Sequence, residues 1–507
     1  MKYGLSDKQL QEIKEILASY ESVEKAVLFG SRAIDTYKEA SDVDIAIKGK
    51  KADWSLAMTI KDHLEEETYL PFFFDVVAYG SVESEELKEH IDGKGKVLFE
   101  RGMSKWREVR LSKHIDLING FAFKSKDFLD HQEQETLPVI KIKNVANGDV
   151  NLEKVVYHKY DDSFSRYLLS KGDVLIAMTG NHPQAQTQVV GAVSKYKLDL
   201  NALLNQRVGK IIPIGSTCLD FVYYFFKDKD THRYLANESS GSANQANISK
   251  ATIVGIETDF PEPAEQKAIA EVLSSLDDKI DLLHRQNKTL EQMAETLFRQ
   301  WFVEEAGEDW EDWEEVPLSY FGKIICGKTP SKKKPEFYNG DIPFIKIPDM
   351  HRNTYIFHTA DTLTMEGSNS QKNKLLPPES ICVSCIATVG LVSMNIVESQ
   401  TNQQINSIIP SKDVYRYFLY LYMKASYDEL HAMASGGTAT LNLNTGSFSK
   451  TEVIKPNLNI LEKFHNMVET KFNKIFSNQK QIRTLQSLRD TLLPKLMSGE
   501  VRIASNG

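Results

Sequence analysis

The chain has 507 residues, of which 41% are hydrophobic and 26% charged; this balance excludes intrinsic disorder and collagen-like repeats, and the length predicts several globular domains. The net charge of -9 is unevenly distributed, since residues 1 to 102 hold 14 basic and 21 acidic side chains and the remaining 405 residues hold 47 and 49. The longer part is therefore close to neutral, which does not exclude basic loops that bind phosphate.

The sequence contains no uninterrupted apolar stretch long enough to cross a bilayer, so we expect a cytoplasmic protein that does not bind membranes. Its four cysteines, Cys218, Cys326, Cys382 and Cys385, are too few for a disulfide framework in a chain of this size. Cys382 and Cys385 form a lone Cys-x-x-Cys inside an apolar run typical of a strand. We interpret both as core residues rather than as zinc ligands.

The first motif lies in residues 23 to 47, where an apolar strand runs into Gly30-Ser31-Arg32 and a second strand begins Ser41-Asp42-Val43-Asp44. Residues i and i+2 of a strand face the same way, so the carboxylates of Asp42 and Asp44 lie side by side and repel each other unless a cation lies between them. A third strand, FFFDVV, brings Asp75 within reach. Three carboxylates beside a Gly-Ser turn suit metal-dependent nucleotidyl transfer.

This block resembles the minimal nucleotidyltransferase family over roughly residues 5 to 100. The resemblance implies an α/β domain at residues 1–102 that uses Mg²⁺ and a nucleoside triphosphate such as ATP, and that transfers the nucleotide to a partner protein. It implies these site residues: Asp42, Asp44 and Asp75 in catalysis and metal binding, and Gly30, Ser31 and Arg32 in binding the nucleotide phosphates. The alternative is a domain that kept its fold and lost its activity, because IDTYKEA replaces the Gly- and Arg-rich stretch common in the family.

The rest of the chain contains an internal repeat. Trp106-x-x-Val109-x-Leu111 and Ile118-x-Gly120 recur 207 residues later as Trp313-x-x-Val316-x-Leu318 and Ile325-x-Gly327. Further blocks correspond, although the number of residues between the two copies changes along the chain. They are LPVIKIKNV with IPFIKIPDM, LNQRVGKIIP with TNQQINSIIP, and Asn247-Ile248 with Asn442-Leu443. Each copy begins with short strand-like runs broken by Gly, Asn and Pro. The pattern predicts two copies of one fold that differ in their loops.

Each copy ends in a long amphipathic helix. In the first, Pro261 and Pro263 open the helix. A heptad seam follows at steps of four and three and consists of Ile269, Leu273, Leu276, Ile280, Leu283, Asn287, Leu290, Ala294, Leu297 and Trp301. The second carries Phe464, Val468, Ile475, Ile482, Leu485, Leu492 and Leu496, interrupted by Lys471, Asn478 and Arg489. We expect the two helices to form an antiparallel intramolecular coiled coil. The alternative is that each helix dimerises with another chain.

The order of these parts, with Pro261-x-Pro263-x-Glu265-Gln266-x-x-Ile269-Ala270, resembles type I restriction-modification specificity subunits over about residues 104 to 505. The resemblance implies two target-recognition domains that read the halves of a bipartite double-stranded DNA site, spaced by the paired helices. Methyltransferase and restriction subunits are the implied partners, and the specificity portion needs no cofactor and does no chemistry itself. The predicted boundaries are 104–262 and 310–456 for the recognition domains and 263–305 and 457–500 for the helices.

Candidate DNA contacts are basic or amide side chains in the turn-rich stretches. Lys and Arg would hold phosphates, while Asn, Gln and Arg would read base edges. In the first copy they are Lys124, Lys126, Lys141, Lys143, Asn144, Gln206 and Arg207, and in the second they are Lys328, Lys332, Lys333, Lys334 and Lys346. The alternative interpretation of each residue is a solvated surface charge that does not contact DNA.

Two further hypotheses remain open for the whole chain. One holds that it is primarily a metal-dependent nucleotidyltransferase that a DNA-binding repeat targets. The other is a scaffold that associates through its coils without salt-dependent DNA binding. We find no GxxxxGK[ST] phosphate loop and no nuclease motif. Asp259 with Glu265-Gln266-Lys267 lies at a Pro-rich helix start, so we interpret these residues as capping and surface charge.

Overall fold

The computed structural model describes residues 2–20, 22–38, 41–49, 52–100, 106–145, 148–180, 189–242, 245–304, 313–435 and 441–503. The chain divides into two compact units: residues 1–272 with 491–507 form the first, and residues 273–490 form the second. Among the described helices, none combines the length and the apolar character that a membrane span requires.

The N-terminal domain is an α/β structure. Its strands are β1 (Lys25–Phe29), β2 (Val43–Lys48), β3 (Phe74–Ala78) and β4 (Lys96–Glu100), and its helices are α1 (Asp7–Ser19), α2 (Gly30–Ala33), α3 (Trp54–Glu66) and α4 (Glu85–Lys94). The sheet order is β3-β2-β1-β4, with β2 parallel to β3 and antiparallel to β1. Apolar side chains of α1, among them Ile13 and Leu17, pack in one buried cluster with those of the strands. Because β2 and β3 are parallel neighbours, their N-terminal ends lie next to each other at one edge of the sheet.

The first copy of the repeat is made of short strands around a small apolar core. Its strands are β5 (Arg107–Arg110), β6 (Ile115–Asn119), β7 (Thr136–Ile140), β8 (Val156–Lys159), β9 (Leu168–Leu169), β10 (Val174–Ala177), β11 (Thr179–Gly180), β12 (Val193–Lys195), β13 (Ala202–Leu204), β14 (Val208–Pro213), β15 (Ser240–Ser242), β16 (Gln245–Asn247) and β17 (Glu257–Phe260). Its helices are α5 (Ile142–Val145), α6 (Leu219–Lys227), α7 (Lys229–Asn237) and α8 (Lys250–Val254), and the long helix α9 (Pro263–Arg299) follows, ending in a π-helical turn at Gln300–Glu304.

The second copy is built in the same way. Its strands are β18 (Glu314–Pro317), β19 (Gly322–Cys326), β20 (Tyr338–Ile345), β21 (Tyr355–Ile356), β22 (Asp361–Leu363), β23 (Ile381–Ser384), β24 (Val392–Asn395), β25 (Gln400–Thr401), β26 (Ile405–Pro410) and β27 (Glu452–Lys455). Its helices are α10 (Ile347–Met350), α11 (Met365–Asn369), α12 (Arg416–Ala425), α13 (Tyr427–Ala434) and α14 (Thr445–Ser449), and the long helix α15 (Leu458–Met497) follows.

Strand order confirms that the two copies share one fold. The sheet β6-β14-β10-β12 of the first copy corresponds to β19-β26-β23-β24 in the second, which adds β21 at its edge. The pairs β5-β17 and β18-β27 also correspond, as do the runs β8-β7-β13 and β22-β20-β25. Cys382 and Cys385 are buried in the second copy, as predicted for core residues. The copies differ in strands outside this shared order, such as β9 and β15 in the first copy and β21 in the second.

The long helices pair with each other inside the second unit. Ile280 and Leu283 of α9 form one apolar cluster with Ile482 and Leu485 of α15. Towards the other end of the pair, Phe298 lies against Phe464, with ring centroids 6.3 Å apart. Contacts advance along one helix as they retreat along the other, so the pairing is antiparallel. The predicted intramolecular coil is confirmed.

Two of the polar interruptions in the second seam have partners on the first helix. The Asn478 amide donates to Asn287 Oδ1 over 2.9 Å, and both side chains are buried. Arg489 donates to Asp277 Oδ1, also over 2.9 Å. Lys471 instead donates to the Met467 carbonyl of its own helix. A paired polar group inside a seam favours a single register, because any shift leaves it unpaired.

Candidate functional site

Two of the predicted carboxylates meet across adjacent strands of the N-terminal domain. Asp44 of β2 is the register partner of Asp75 on the parallel strand β3, and Asp42 immediately precedes β2. Burial, and then the negative charges of Asp75 and Asp42, raise the pKa of Asp44, while the positive charges of Arg32 and His90 oppose that rise. Asp42 and Asp75 are exposed and Asp44 is half-buried, so this cluster is open to solvent.

Gly30 is the point at which the backbone closely approaches Asp44. Its φ is +69°, and a Cβ placed on it would lie 2.1 Å from Asp44 Oδ2. Any side chain at this position would displace the carboxylate and strain the backbone. Ser31 follows in the half-buried first turn of α2. The Gly-Ser turn and the carboxylates are therefore neighbours, as the motif predicted.

Arg32 has a structural role that differs from the predicted one. Arg32 is 1% exposed, and its guanidinium donates to the carbonyls of Tyr3, Ser41 and Asp42 at 2.6 to 3.1 Å. It also lies over the Phe72 ring, 4.8 Å from the centroid. All three of its nitrogens are used inside the domain, so these contacts do not support phosphate binding. Arg32 holds in place the backbone that carries Asp42.

The carboxylate cluster has the ligand type that a divalent cation prefers, but its side chains do not converge as in a formed metal site. Carboxylate oxygens are the ligands that Mg²⁺ prefers, and a cation would offset the repulsion between Asp44 and Asp75. Within the described ranges, however, no three His, Cys, Asp or Glu side chains converge as a metal site requires.

In the first copy, Lys124 and Lys126 lie on an exposed turn beside a group of aromatic rings. Phe121 is 37% exposed, and its ring centroid is 5.0 Å from Phe123 and 5.2 Å from Phe164. The Lys141 ammonium lies 3.9 Å from the Phe128 centroid, and burial, followed by the charge of Lys143, lowers the pKa of Lys141. The aromatic group with its lysines is a partly exposed apolar surface with positive charge at its edge.

Asn144 does not face solvent, which corrects its prediction as a base-reading residue. It is fully buried, accepts a hydrogen bond from the Lys141 N–H, and donates to the carbonyls of Asn151 and Glu153. Its neighbour Lys143 donates to the Lys154 carbonyl. Both side chains stabilise the loop after α5, because a buried amide must find its partners within the protein.

Gln206 and Arg207 lie on the exposed turn between β13 and β14. They line a surface cleft of about 460 Å³ together with Met178, Thr179, Asn247 and Ile248. Thr179 Oγ1 donates to Asn247 Oδ1 over 2.8 Å, which orients that amide. Sequence reasoning found the turn but not Thr179 and Asn247, although Asn247 belongs to one of the repeated blocks.

In the second copy the predicted lysines divide into two groups. Lys328, Lys332, Lys333 and Lys334 are exposed, and Lys334 lies 4.8 Å from the Phe337 centroid. Lys346 instead forms an ion pair with Asp361 and is less available to a phosphate. Gln371 donates to the Lys328 carbonyl over 2.7 Å. Lys372, which sequence reasoning missed, follows Gln371 directly and is exposed.

The Glu265-Gln266 pair is buried, which corrects its interpretation as surface charge. Glu265 accepts a hydrogen bond from Trp106 Nε1 at 3.1 Å and pairs with Arg502, whose Nη2 lies 2.7 Å from Oε2. Gln266 accepts from the Cys218 N–H and donates to the Pro261 carbonyl. The pair therefore ties the start of α9 to the first copy and to the C-terminal segment.

Comparison with known proteins identifies the repeat. The family model described as type I restriction modification DNA specificity domain matches residues 103–292 and 310–489. The chain belongs to this family. It is a type I restriction-modification specificity subunit with two recognition domains, which are the two copies described above. A model described as polymerase beta nucleotidyltransferase matches residues 11–104, so the specificity subunit carries an accessory domain of that family.

Individual proteins that are similar to this chain support the same family assignment. The HindI specificity subunit of Haemophilus influenzae is 38% identical over 356 residues, which are 56% of this chain and 77% of the relative. The MjaIX specificity subunit of Methanocaldococcus jannaschii is 28% identical over 395 residues, covering 72% of this chain and 90% of the relative. The crystal structure of a type I S subunit from M. genitalium shares the fold, with a TM-score of 0.52 at 16% identity, covering 78% of this chain and 96% of that one.

Proposed function

We propose that this specificity subunit reads a bipartite site in double-stranded DNA, one half with each recognition domain, and that the length of the paired helices sets the separation of the halves. The observation that carries the proposal is the recurrence of one strand order in both domains, joined to an antiparallel helix pair. At about 1.5 Å per residue, helices of this length are rods of roughly 55 to 60 Å. Because the two recognition domains are joined by a stiff spacer, the length of the helices determines the spacing of the two half-sites.

Exposed basic side chains supply the phosphate contacts. In the first domain these are Lys124 and Lys126, and in the second they are Lys328 and Lys332 to Lys334. Such contacts give affinity that falls with salt and fix the register on DNA, whereas sequence is read by side chains that reach base edges. Gln206 and Arg207, which line an open cleft, are suited to the second task. Lys141, Lys143 and Lys346 contribute less, because each is engaged inside its own domain.

The helices bind the methyltransferase subunits, and the restriction subunits join that complex. Several apolar side chains of the helices lie outside the seam and are exposed: Leu282, Met293, Met467 and Leu488. Exposed apolar side chains on a rigid helix pair favour docking of a partner protein. The specificity portion itself needs no cofactor, since its role is recognition.

Co-expression with a methyltransferase subunit, followed by mapping of methylated sites in genomic DNA, tests this function. We expect methylation at one split sequence, with two specified blocks and a spacer of constant length. The same host without the specificity subunit is the control, and it should carry no such marks. Methylation at an unsplit sequence, or none at any sequence although the complex assembles, would contradict the proposal.

The accessory domain supports a second candidate function, metal-dependent nucleotide transfer to a partner protein. The observation that favours it is the approach of Gly30 to Asp44 beside Asp75, which leaves an open carboxylate cluster next to the Gly-Ser turn. Mg²⁺ bound there would neutralise the charge of a nucleoside triphosphate. Asp42, Asp44 and Asp75 would hold it, and Arg32 would act only by positioning the loop of Asp42.

Incubation of the complex with labelled ATP and Mg²⁺ tests this second function. We expect labelled protein with the natural chain and a large loss of label with Asp42→Ala or Asp44→Ala. Asp62→Ala, which removes an exposed carboxylate on α3, is the matched control and should label normally. Equal labelling in all four proteins would eliminate the enzymatic hypothesis, and the methylation result would be unaffected.

A further inference from the structure

In the first recognition domain, three chain segments cross beside the exposed Arg207 side chain. The Met178 N–H donates to the Arg207 carbonyl over 3.0 Å, and the Ile248 N–H donates to the Met178 carbonyl over 3.0 Å. Thr179 pairs with Asn247 in the antiparallel ladder of β11 and β16. We name this arrangement the three-segment junction; it comprises residues 178–179, 206–207 and 247–248.

The second recognition domain contains the same junction with the same backbone bonds. The Cys385 N–H donates to the Gln404 carbonyl over 2.8 Å, and the Leu443 N–H donates to the Cys385 carbonyl over 2.8 Å. Ile386 and Asn442 form the equivalent antiparallel bridge. Each bond of the first junction therefore has a counterpart in the second, which comprises residues 385–386, 403–404 and 442–443.

The backbone of the junction is retained, whereas some of its side chains differ. Gln206 and Asn247 keep their residue types as Gln403 and Asn442. Arg207 is replaced by Gln404, and Thr179 is replaced by Ile386. A constant frame that presents different polar groups is what two readers need when they select different bases with one fold.

The side chain of Arg207 is free to bind a ligand. It is exposed at the cleft, and within the described part of the chain no ion pair or hydrogen bond engages its guanidinium. A guanidinium presents its donors in a planar fork that fits the O6 and N7 acceptors of guanine in the major groove. Arg207 is therefore suited to a G·C pair.

Gln404 offers a different pattern at the equivalent place. Its Oε1 accepts a hydrogen bond from Asn402 Nδ2 at 2.9 Å, which fixes the orientation of the amide. The same oxygen has a second lone pair, and the amide nitrogen is a donor, so together they match the N6 donor and N7 acceptor of adenine. Gln404 is therefore suited to an A·T pair.

We propose that the three-segment junction is the base-reading site of each recognition domain, and that Arg207 selects guanine in one half of the target whereas Gln404 selects adenine in the other. The inference rests on the proposed two-part reading of DNA and names the residues that determine its specificity. Asn247 and Gln206 supply neighbouring amide groups, and Asn247 is oriented in the first domain by Thr179.

The test uses the full chain with its methyltransferase subunit and DNA pools in which each specified position of the natural target is randomised in turn. Methylated molecules are then sequenced. We expect Arg207→Gln to change one guanine in one half, with about a 5- to 150-fold loss of discrimination, and to leave the other half unchanged. Gln404→Arg should change one adenine in the opposite half. Arg207→Lys, which keeps the charge, should also weaken the choice of guanine.

Arg233→Gln is the matched control, because it removes an arginine that is 70% exposed on α7 and does not line the cleft. It should preserve every base preference. The proposal is overturned if Arg207→Gln or Gln404→Arg retains all base preferences, whether methylation is unchanged or uniformly reduced. A natural chain that marks no split sequence would instead contradict the proposed function itself, so the two failures are distinguishable.

Discussion

Burial and the charges of Asp75 and Asp42 raise the pKa of Asp44, so the ionised carboxylate is less stable in the folded domain than in an unfolded chain. The sign follows from linkage: a carboxyl whose folded pKa is raised lowers stability as the pH rises through that pKa, and has no effect well below its unfolded pKa. Gly30 keeps this unfavourable arrangement, because it lets Asp44 Oδ2 approach the backbone closely. Unfavourable charge of this kind is typical of a functional site.

We therefore predict that Asp44→Asn stabilises the N-terminal domain at neutral pH, by about 1 kcal/mol at most because the carboxylate is partly solvated. Thermal unfolding of the full chain at several pH values measures this, and the gain should shrink as the pH falls and Asp44 becomes protonated. Mg²⁺ should stabilise the natural chain more than the variant. Equal Mg²⁺ effects on both proteins would show that no cation binds at Asp44.

At the scale of elements, the pairing of α9 with α15 combines an apolar seam with a buried amide pair. Asn478 donates to Asn287 Oδ1, while the Asn478 Oδ1 atom is buried without a described partner. Removing one member of such a pair leaves a buried polar group unpaired, whereas replacing both with apolar residues can be neutral or stabilising. The pair thus favours one register rather than maximal stability.

Asn478→Leu should lower the free energy of unfolding by about 1 to 2 kcal/mol, and Asn287→Leu with Asn478→Leu should recover most of that loss. Urea unfolding of the two single variants and the double variant gives the coupling energy. In the methylation assay, the double variant should accept more than one spacer length, because only the pair of Arg489 with Asp277 then still favours the native register. Additive losses with an unchanged spacer would refute this role.

The basic segment of the second recognition domain yields another expectation. Replacing Lys332, Lys333 and Lys334 by serine should weaken binding to all DNA sequences and reduce the salt slope by about 0.9 for each phosphate that the protein no longer neutralises. Titrations of the methyltransferase complex at several salt concentrations measure both effects. Serine at Lys8, Lys14 and Lys94, which are exposed on helices of the N-terminal domain, is the control of equal charge change. Weaker binding confined to the specific sequence would argue against phosphate binding by these lysines.

At the scale of the molecule, the C-terminal segment and the N-terminal part of the chain belong to one compact unit. Residues 491–507 belong to the same compact unit as residues 1–272. Arg502 of the C-terminal segment forms an ion pair with Glu265, which also accepts the Trp106 indole N–H. The three residues come from the first strand region, the start of α9 and the C-terminal segment. The C-terminal segment therefore supplies a cation to a buried carboxylate of the first unit.

Arg502→Ala should destabilise the first unit by about 1 to 3 kcal/mol, because it leaves the buried Glu265 carboxylate without its cation. Thermal unfolding of the full chain measures the loss. In a Glu265→Gln background, which keeps an acceptor for Trp106, the same substitution should have little effect. The same loss in both backgrounds would show that Arg502 acts through another residue.

Local patterns in the amino-acid order were sufficient for the repeat, the heptad seam and the Asp42-Val43-Asp44 strand. Repeats, helical periodicity and strand alternation are properties of neighbouring residues, so they are readable without coordinates. These patterns predicted the antiparallel helix pair and the common fold of the two copies, and the structure confirms both. Nucleotidyltransferase motifs were equally local, since Gly30 and Asp44 lie on consecutive elements.

Tertiary structure alone decided which polar side chains face solvent. Asn144 and Arg32 resemble binding residues in the sequence, yet both are buried and bonded to backbone carbonyls. Glu265 looked like surface charge, but its partners Trp106 and Arg502 lie 159 and 237 residues away in the chain. The three-segment junction likewise joins distant segments. Burial and pairing depend on residues that only folding brings together, and no local pattern encodes them.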